Sequence, residues 1–71
     1  MVEDIRRCLA GRLRGLRRKA GYTQQQLAEL AELDYKHIQQ LEGSRPPYPR
    51  LDTIEKLAKA FKIPPSKLLD F

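Results

Sequence analysis

The residues with chemically reactive side chains do not form a catalytic or metal-binding set. The chain has one cysteine, Cys8, and one histidine, His37, which excludes an intramolecular disulfide and any His/Cys metal site of recognised spacing. The sequence pairs no two carboxylates and no nucleophile with a base, and it has no glycine-rich loop for phosphate. We therefore expect no enzyme activity, no cofactor and no bound metal, and a buried rather than reactive Cys8.

Positive charge is the chemical feature that remains. The 71 residues carry 14 Lys and Arg against 9 Asp and Glu, which gives a formal net charge of +5. The excess lies near the start, where seven basic side chains accompany only Glu3 and Asp4: Arg6, Arg7, Arg12, Arg14, Arg17, Arg18 and Lys19. This balance favours a polyanionic partner, although the same charges also suit a solvated helix face.

Chain length and hydropathy limit the number of domains and indicate the cellular compartment in which the protein would meet such a partner. A chain of 71 residues allows one domain, 1–71, because a second core could not be buried. No apolar run approaches the roughly 18 to 20 residues of a membrane helix, and no apolar segment after Met1 resembles a secretory signal. With one cysteine, this predicts a cytoplasmic protein without a membrane partner.

The elements that position these side chains are predicted to be helices. Glu3 to Ala20 and Leu51 to Phe61 each carry an apolar stripe at steps of three and four, and a short helix follows from Pro65 to Leu69. The expected stripes comprise Ile5, Leu9, Leu13, Leu16 and Ala20 in the first helix, and Leu51, Ile54, Leu57, Ala58 and Phe61 in the later one. Gly21 suits the left-handed turn that ends the first helix, and the proline-rich segment Gly43 to Arg50 predicts a loop.

Two short helices with a three-residue break are predicted in the middle. Thr23 and Gln26 have the spacing of a capping box, so a helix should begin after Thr23, with a buried side of Leu27, Ala28, Leu30 and Ala31. Asp34 is a good N-cap for the next helix, whose stripe is Ile38 and Leu41. A small residue at Ala28 lets the two helices cross closely. This spacing is typical of a DNA-binding helix-turn-helix, with the motif at 23–42.

A resemblance to one family covers about residues 9 to 69. The positions that carry it are Arg17, Gly21, Thr23-Gln24, Leu27-Ala28, Ile38, Glu42, Leu51-Asp52-Thr53-Ile54 and Leu57-Ala58. They resemble the Cro/phage-repressor (Xre) helix-turn-helix family. The resemblance implies an all-α fold, a compact five-helix bundle of the lambda-repressor-like type. It also implies transcriptional regulators that usually bind palindromic operators as homodimers, although antitoxins and restriction-modification controllers use the same domain.

Roles for individual residues follow from this resemblance. Tyr35, Lys36 and Gln40 match positions that contact bases in the major groove, with Gln39 as a neighbour that ranks below Gln40. Their chemistry agrees, because Lys can donate to guanine and Gln can pair with adenine, while Tyr35 suits a thymine methyl or a phosphate equally. Backbone phosphates are expected to contact Gln24, Thr23, His37 and Arg45, together with one or more of Arg12, Arg14, Arg18 and Lys19.

Arg17 and Glu42 match an ion pair of the family that joins the first helix to the end of the base-reading helix. Two positions depart from the family pattern. Glu32 stands where glycine usually takes a left-handed turn, and the loop before Leu51 is about one residue longer and richer in proline.

Two hypotheses about partners follow. The first is a sequence-specific regulator that binds double-stranded DNA as a homodimer and takes no small-molecule substrate. The second is an antitoxin-like or adaptor module that uses the same fold to bind a protein. Leu68, Leu69 and Phe71 form either a self-association surface or the edge of the bundle.

Overall fold

The computed structural model describes residues 4–71, which form helices and connecting loops without a strand. In chain order, the helices are α1 (Ile5–Ala20), α2 (Gln24–Ala31), α3 (Tyr35–Leu41), α4 (Leu51–Phe61) and α5 (Pro65–Leu68). The predicted all-α fold with five helices is confirmed. The predicted start of the first helix at Glu3 lies outside the described residues, within which Asp4 caps α1.

Local hydrogen bonds set the ends of α1 and α2. Gly21 has φ 79° and ends α1 in the left-handed conformation expected of glycine. The Thr23 hydroxyl accepts from the Gln26 amide at 3.1 Å, and the Gln26 side chain accepts from the Thr23 amide at 2.8 Å. Both halves of the predicted capping box therefore form, and α2 begins where the sequence indicates.

The turn between α2 and α3 is built without glycine. Glu32 takes the left-handed conformation with φ 56°, and the next amide, that of Leu33, donates to the carbonyl of Ala28 at 2.9 Å. The backbone is thus the one that glycine would favour, at a cost for a residue with a Cβ. Asp34 precedes α3 as predicted, but its side chain makes no capping hydrogen bond.

The core takes side chains from all five helices. Its fully buried members include Leu13 of α1, Leu27 of α2, Ile38 and Leu41 of α3, Leu57 of α4 and Leu68 of α5. Ala28 is also buried, and its small side chain leaves room for α3 beside α2. Because α2 and α3 have only 8 and 7 residues, neither buries enough surface to be stable without the others.

Several expected core positions lie at the surface instead. Leu51 is 86% exposed because it is the first residue of α4 and no element covers it. Leu30 is 52% exposed, since it lies about 60° outside the arc that Leu27, Ala28 and Ala31 present to the core. Ile5 and Ala20, at the two ends of α1, are exposed too, and Cys8 is only half-buried.

Leu68 corrects the expectation of a terminal apolar patch. It is completely buried in the core, whereas Leu69 and Phe71 are exposed. Buried residues also occur where no stripe predicted them: Ala10, Thr53 and Ala60. The longest helix, α1, has 16 residues, and none of the helices in residues 4–71 has the length and apolar character of a membrane span.

Candidate nucleic-acid interface

Helix α3 has one buried side and one open side. Ile38 and Leu41 point into the core against α2, which turns the opposite side of α3 outward. Four polar residues are exposed there: Tyr35, Lys36, Gln39 and Gln40. At about 100° per residue they span an arc of roughly 140° on the side of the helix away from Ile38 and Leu41. The structure thus places together the four residues for which the sequence predicts base contacts.

Two of these four side chains hydrogen-bond to each other, and the other two do not. The Gln39 amide donates to the Tyr35 hydroxyl at 3.1 Å along the helix. The side chains of Lys36 and Gln40 make no hydrogen bond to any residue in 4–71, so their donors and acceptors are available to a ligand. His37 lies beside the exposed face and is half-buried.

A buried ion pair supports α3 from behind. Arg17 Nε donates to Glu42 Oε2 at 2.8 Å, and Arg17 Nη2 donates to Glu42 Oε1 at 3.0 Å. Only 13% of the Arg17 side chain and 2% of the Glu42 side chain are exposed. The remaining guanidinium nitrogen, Nη1, donates to the Tyr22 carbonyl at 2.9 Å. The expected Arg17–Glu42 pair is therefore present and bidentate, which is the strong geometry for such a pair.

Gln24 joins the same network. Its side-chain amide donates to Glu42 Oε1 at 3.4 Å, and the residue is half-buried. Arg17, Thr23, Gln24, Gln25 and Tyr35 line a shallow cleft at the start of α2. Three of these carry polar groups at a helix N-terminus, where unpaired amides and the helix dipole favour an anion.

Two other basic side chains of α1 donate hydrogen bonds to backbone carbonyls elsewhere in the fold. Arg12 Nη2 donates to the Lys67 carbonyl at 2.8 Å, while the Nε of the same residue is buried and has no hydrogen-bonding partner within the described residues. Arg14 Nη1 donates to the Glu42 carbonyl at the end of α3. The sequence left both as candidate phosphate contacts, because a link across 55 or 28 positions has no local pattern.

The loop Gly43 to Arg50 runs beside α1. Arg45 is exposed, whereas Pro46 is buried and Tyr48 is exposed. The Arg6 guanidinium lies 4.4 Å from the centre of the Tyr48 ring, a cation–π contact that joins this loop to the start of α1. Such anchoring orders the loop without helical hydrogen bonds.

Comparison with known proteins agrees with this geometry. No curated protein gives a significant match to the chain. A family model described as a helix-turn-helix domain matches residues 9–70, nearly the range over which the sequence resembles Cro/phage-repressor domains. Membership of this kind indicates DNA binding and regulation of transcription. With the match covering most of its length, the chain belongs to the helix-turn-helix domain family.

Proposed function

We propose that the protein is a sequence-specific regulator of transcription that binds double-stranded DNA as a homodimer on a palindromic operator. The observation that carries this is the exposed polar face of α3, held in a defined orientation by the buried Arg17–Glu42 pair. Lys36 and Gln40 have no hydrogen-bonding partner among residues 4–71 and would read base edges, with Tyr35 and Gln39 beside them. The protein would act in the cytoplasm and takes no part in catalysis.

The cleft at the start of α2 would hold a backbone phosphate. Thr23 and Gln24 line it, and the first amides of α2 contribute positive dipole charge. To bind through its side chain, Gln24 would have to turn one donor away from Glu42 or share it. His37, beside the α3 face, and Arg45, in the loop after α3, would add contacts that position the protein without reading sequence.

Pairing of two copies is supported by an apolar cleft away from the α3 face. Its lining consists of Ile5, Arg6, Leu9, Tyr48, Pro49, Ile54 and Leu69. Ile5, Tyr48 and Leu69 are exposed, and Leu51 lies nearby in sequence as the most exposed leucine. Oppositely charged groups occur near it in the pairs Asp4–Arg6 and Arg50–Asp52. A two-fold interface brings the same patch of both copies together, and charges that are already paired within each copy do not repel the second one.

The test of DNA binding is selection of bound fragments from random duplex DNA, followed by binding measurements over a range of salt. The selected sites should share one motif with two-fold symmetry and half-sites about 34 Å apart, one helical turn. The logarithm of the binding constant should fall with the logarithm of salt by about 0.9 per phosphate contacted. Failure to enrich any motif, with binding insensitive to salt, would reject the proposal.

The test of pairing is the molecular mass in solution, with and without the selected duplex. The Leu69→Lys variant should reduce dimer formation and weaken binding to the full operator more than binding to a half-site. Lys59→Gln, an exposed change on α4, serves as a control. If Leu69→Lys leaves the mass and operator affinity unchanged, pairing through this cleft is wrong. If the wild-type protein binds no DNA but recovers a protein partner, the adaptor hypothesis replaces the regulator.

A further inference from the structure

Two arginines of α1 hold the residue that ends α3. Arg17 binds the Glu42 side chain through both carboxylate oxygens. Arg14, about one helical turn earlier, donates from Nη1 to the backbone carbonyl of the same residue, and this hydrogen bond is partly buried. Because Arg14 and Arg17 are three positions apart, they stand as neighbours on one side of α1. One arginine therefore fixes the side chain of Glu42, and the other fixes its backbone.

The Arg14 contact suits the chemistry of a helix C-terminus. The last carbonyls of a helix have no partners within the helix and carry partial negative charge. The Arg14 guanidinium brings a donor and a positive charge there, and it forms no ion pair with a carboxylate in residues 4–71. The chain after Glu42 passes so close to α3 that a Cβ at Gly43 would lie 3.2 Å from the Gln39 carbonyl oxygen. Arg14 thus caps α3 from another helix.

The two ends of α3 are anchored in different ways. The N-terminal end is joined to α2 by a short turn, in which the Leu33 amide donates to the Ala28 carbonyl at 2.9 Å. The C-terminal end leads into a loop, so its position depends on the contacts of Glu42 with α1. Lys36 lies near the first end, whereas Gln40 lies two positions before Glu42. We therefore expect the Arg14 contact to affect Gln40 more than Lys36.

We propose that Arg14 is a positioning residue for base recognition by Gln40, an inference that rests on the proposed function. With 7 residues, α3 is only about 10 Å long, so a shift of its C-terminal end moves Gln40 with it. A bidentate contact between Gln and adenine tolerates little displacement, because its donor and its acceptor must both stay within hydrogen-bonding distance. This role differs from the phosphate contact that the sequence left open for Arg14.

The experiment compares the wild-type protein with Arg14→Gln on the selected duplex and on duplexes with single changed base pairs. Discrimination should fall about tenfold at the base pair whose recognition Gln40→Ala also weakens, and should persist at the base pair that Lys36→Ala affects. The slope of the logarithm of affinity against the logarithm of salt should stay that of the wild type, because no phosphate contact is lost. The control is Arg18→Gln, which removes the same charge from an exposed position one turn later on α1. It should leave discrimination unchanged.

A double-mutant cycle tests whether Arg14 acts through Gln40. If it does, Arg14→Gln/Gln40→Ala should discriminate as well as Gln40→Ala alone, since the contact that Arg14 positions is already absent. If the two losses of discrimination instead add, Arg14 acts independently of Gln40 and the inference is wrong.

The variant Gly15→Ala separates positioning from stability. Gly15 is exposed on α1, and a Cβ there would meet no atom within 4 Å. Alanine should therefore strengthen the helix and raise the Tm by about 4–8 °C. Combined with Arg14→Gln, it offsets the stability lost with the hydrogen bond to Glu42 but does not restore that bond. The combined variant should keep the reduced discrimination. Recovery of discrimination together with stability would leave Arg14 a structural role only and overturn the inference.

The outcomes separate this inference from the proposed function. If the wild type selects a motif and Arg14→Gln discriminates equally well, Arg14 is not a positioning residue but the function stands. If discrimination is retained and the salt slope falls by about 0.9, Arg14 contacts a phosphate instead, and the inference is again wrong. If the wild type selects no motif, the function fails and the inference fails with it.

Discussion

The two sides of α3 differ in how fully their polar groups are satisfied. On the inner side, Glu42 at the end of the helix binds Arg17 through both carboxylate oxygens. It also accepts a hydrogen bond from the Gln24 side chain. On the outer side, Lys36 and Gln40 hydrogen-bond to no side chain or backbone group in the described part of the chain. The buried carboxylate depends on its partners, because an ionised group in the interior without them is costly. The outer side chains can therefore change with little effect on folding, whereas the inner ones hold the helix in place.

The largest expected effect comes from the inner side. Glu42→Ala leaves the Arg17 guanidinium, which is largely buried, without its carboxylate. We expect the free energy of unfolding to fall by about 3 kcal/mol, the cost of breaking a buried pair from one side. Urea denaturation measures it. Glu29→Ala, an exposed glutamate on α2, should change stability by less than about 0.5 kcal/mol. Equal losses in the two variants would show that the inner network is not what holds α3.

The next effect concerns the outer side and is seen in binding. Gln40→Ala should reduce discrimination between the selected site and a site with one changed base pair by about 1–3 kcal/mol. Its unfolding free energy should stay within about 0.5 kcal/mol of the wild type, because the side chain is exposed. Gln24→Ala should instead weaken binding to all duplexes similarly. Equal losses on every sequence for both variants would remove Gln40 as a base-reading residue.

A smaller effect is expected in the turn that sets the angle between α2 and α3. Glu32→Gly relieves the left-handed conformation at φ 56° and should raise the unfolding free energy by about 0.5–1 kcal/mol. Lys62→Gly, at φ 58° after α4, tests the same backbone effect away from the motif and should give a similar gain. Thermal denaturation measures both. A gain at Lys62 alone would mean that the Glu32 side chain contributes stabilising contacts that offset the strain.

The smallest effect on stability is expected at the exposed Asp4–Arg6 pair at the start of α1, in contrast to the buried Arg17–Glu42 pair. Hydrogen bonds from Arg6 lower the Asp4 pKa from 3.8, so this stabilisation is present above pH 3.8 and is lost as the pH falls through the lower folded value. Asp4→Asn retains a good N-cap but removes the charge. The variant should be slightly less stable at neutral pH, with the difference vanishing in acid. A difference that persists in strong acid would assign the effect to capping geometry rather than charge.

Much of the site could be predicted because its signals are local or tied to a motif. Thr23 and Gln26 stand three positions apart, and that spacing alone predicts the start of α2. The break between Ala31 and Tyr35 similarly indicates two short helices. The sequence names Arg45 as a phosphate contact but does not connect it with Arg7, because the two are distant in the chain and nothing in either neighbourhood predicts that they line one cleft.

Burial at the ends of helices was the least predictable feature. Leu51 and Leu68 both fit apolar patterns, yet the first is exposed and the second is completely buried. Periodicity specifies which side of a helix is apolar. The positions of the neighbouring helices determine how much of the length of that side is buried. α5 has only 4 residues, so its burial depends entirely on where the turn after Lys62 directs it.

The sequence by itself determined the helices and the turn that separates α2 from α3, because these depend on spacing within a few residues. The resemblance added the polar residues on the outer side of α3 and the Arg17–Glu42 pair. Only the tertiary structure decided that Gln24 shares Glu42 with Arg17, that Arg14 holds the end of α3, and that Arg7 and Arg45 line one cleft. These contacts join residues far apart in the chain, and the packing of α1 and α2 against α3 and the loop after it brings them within reach.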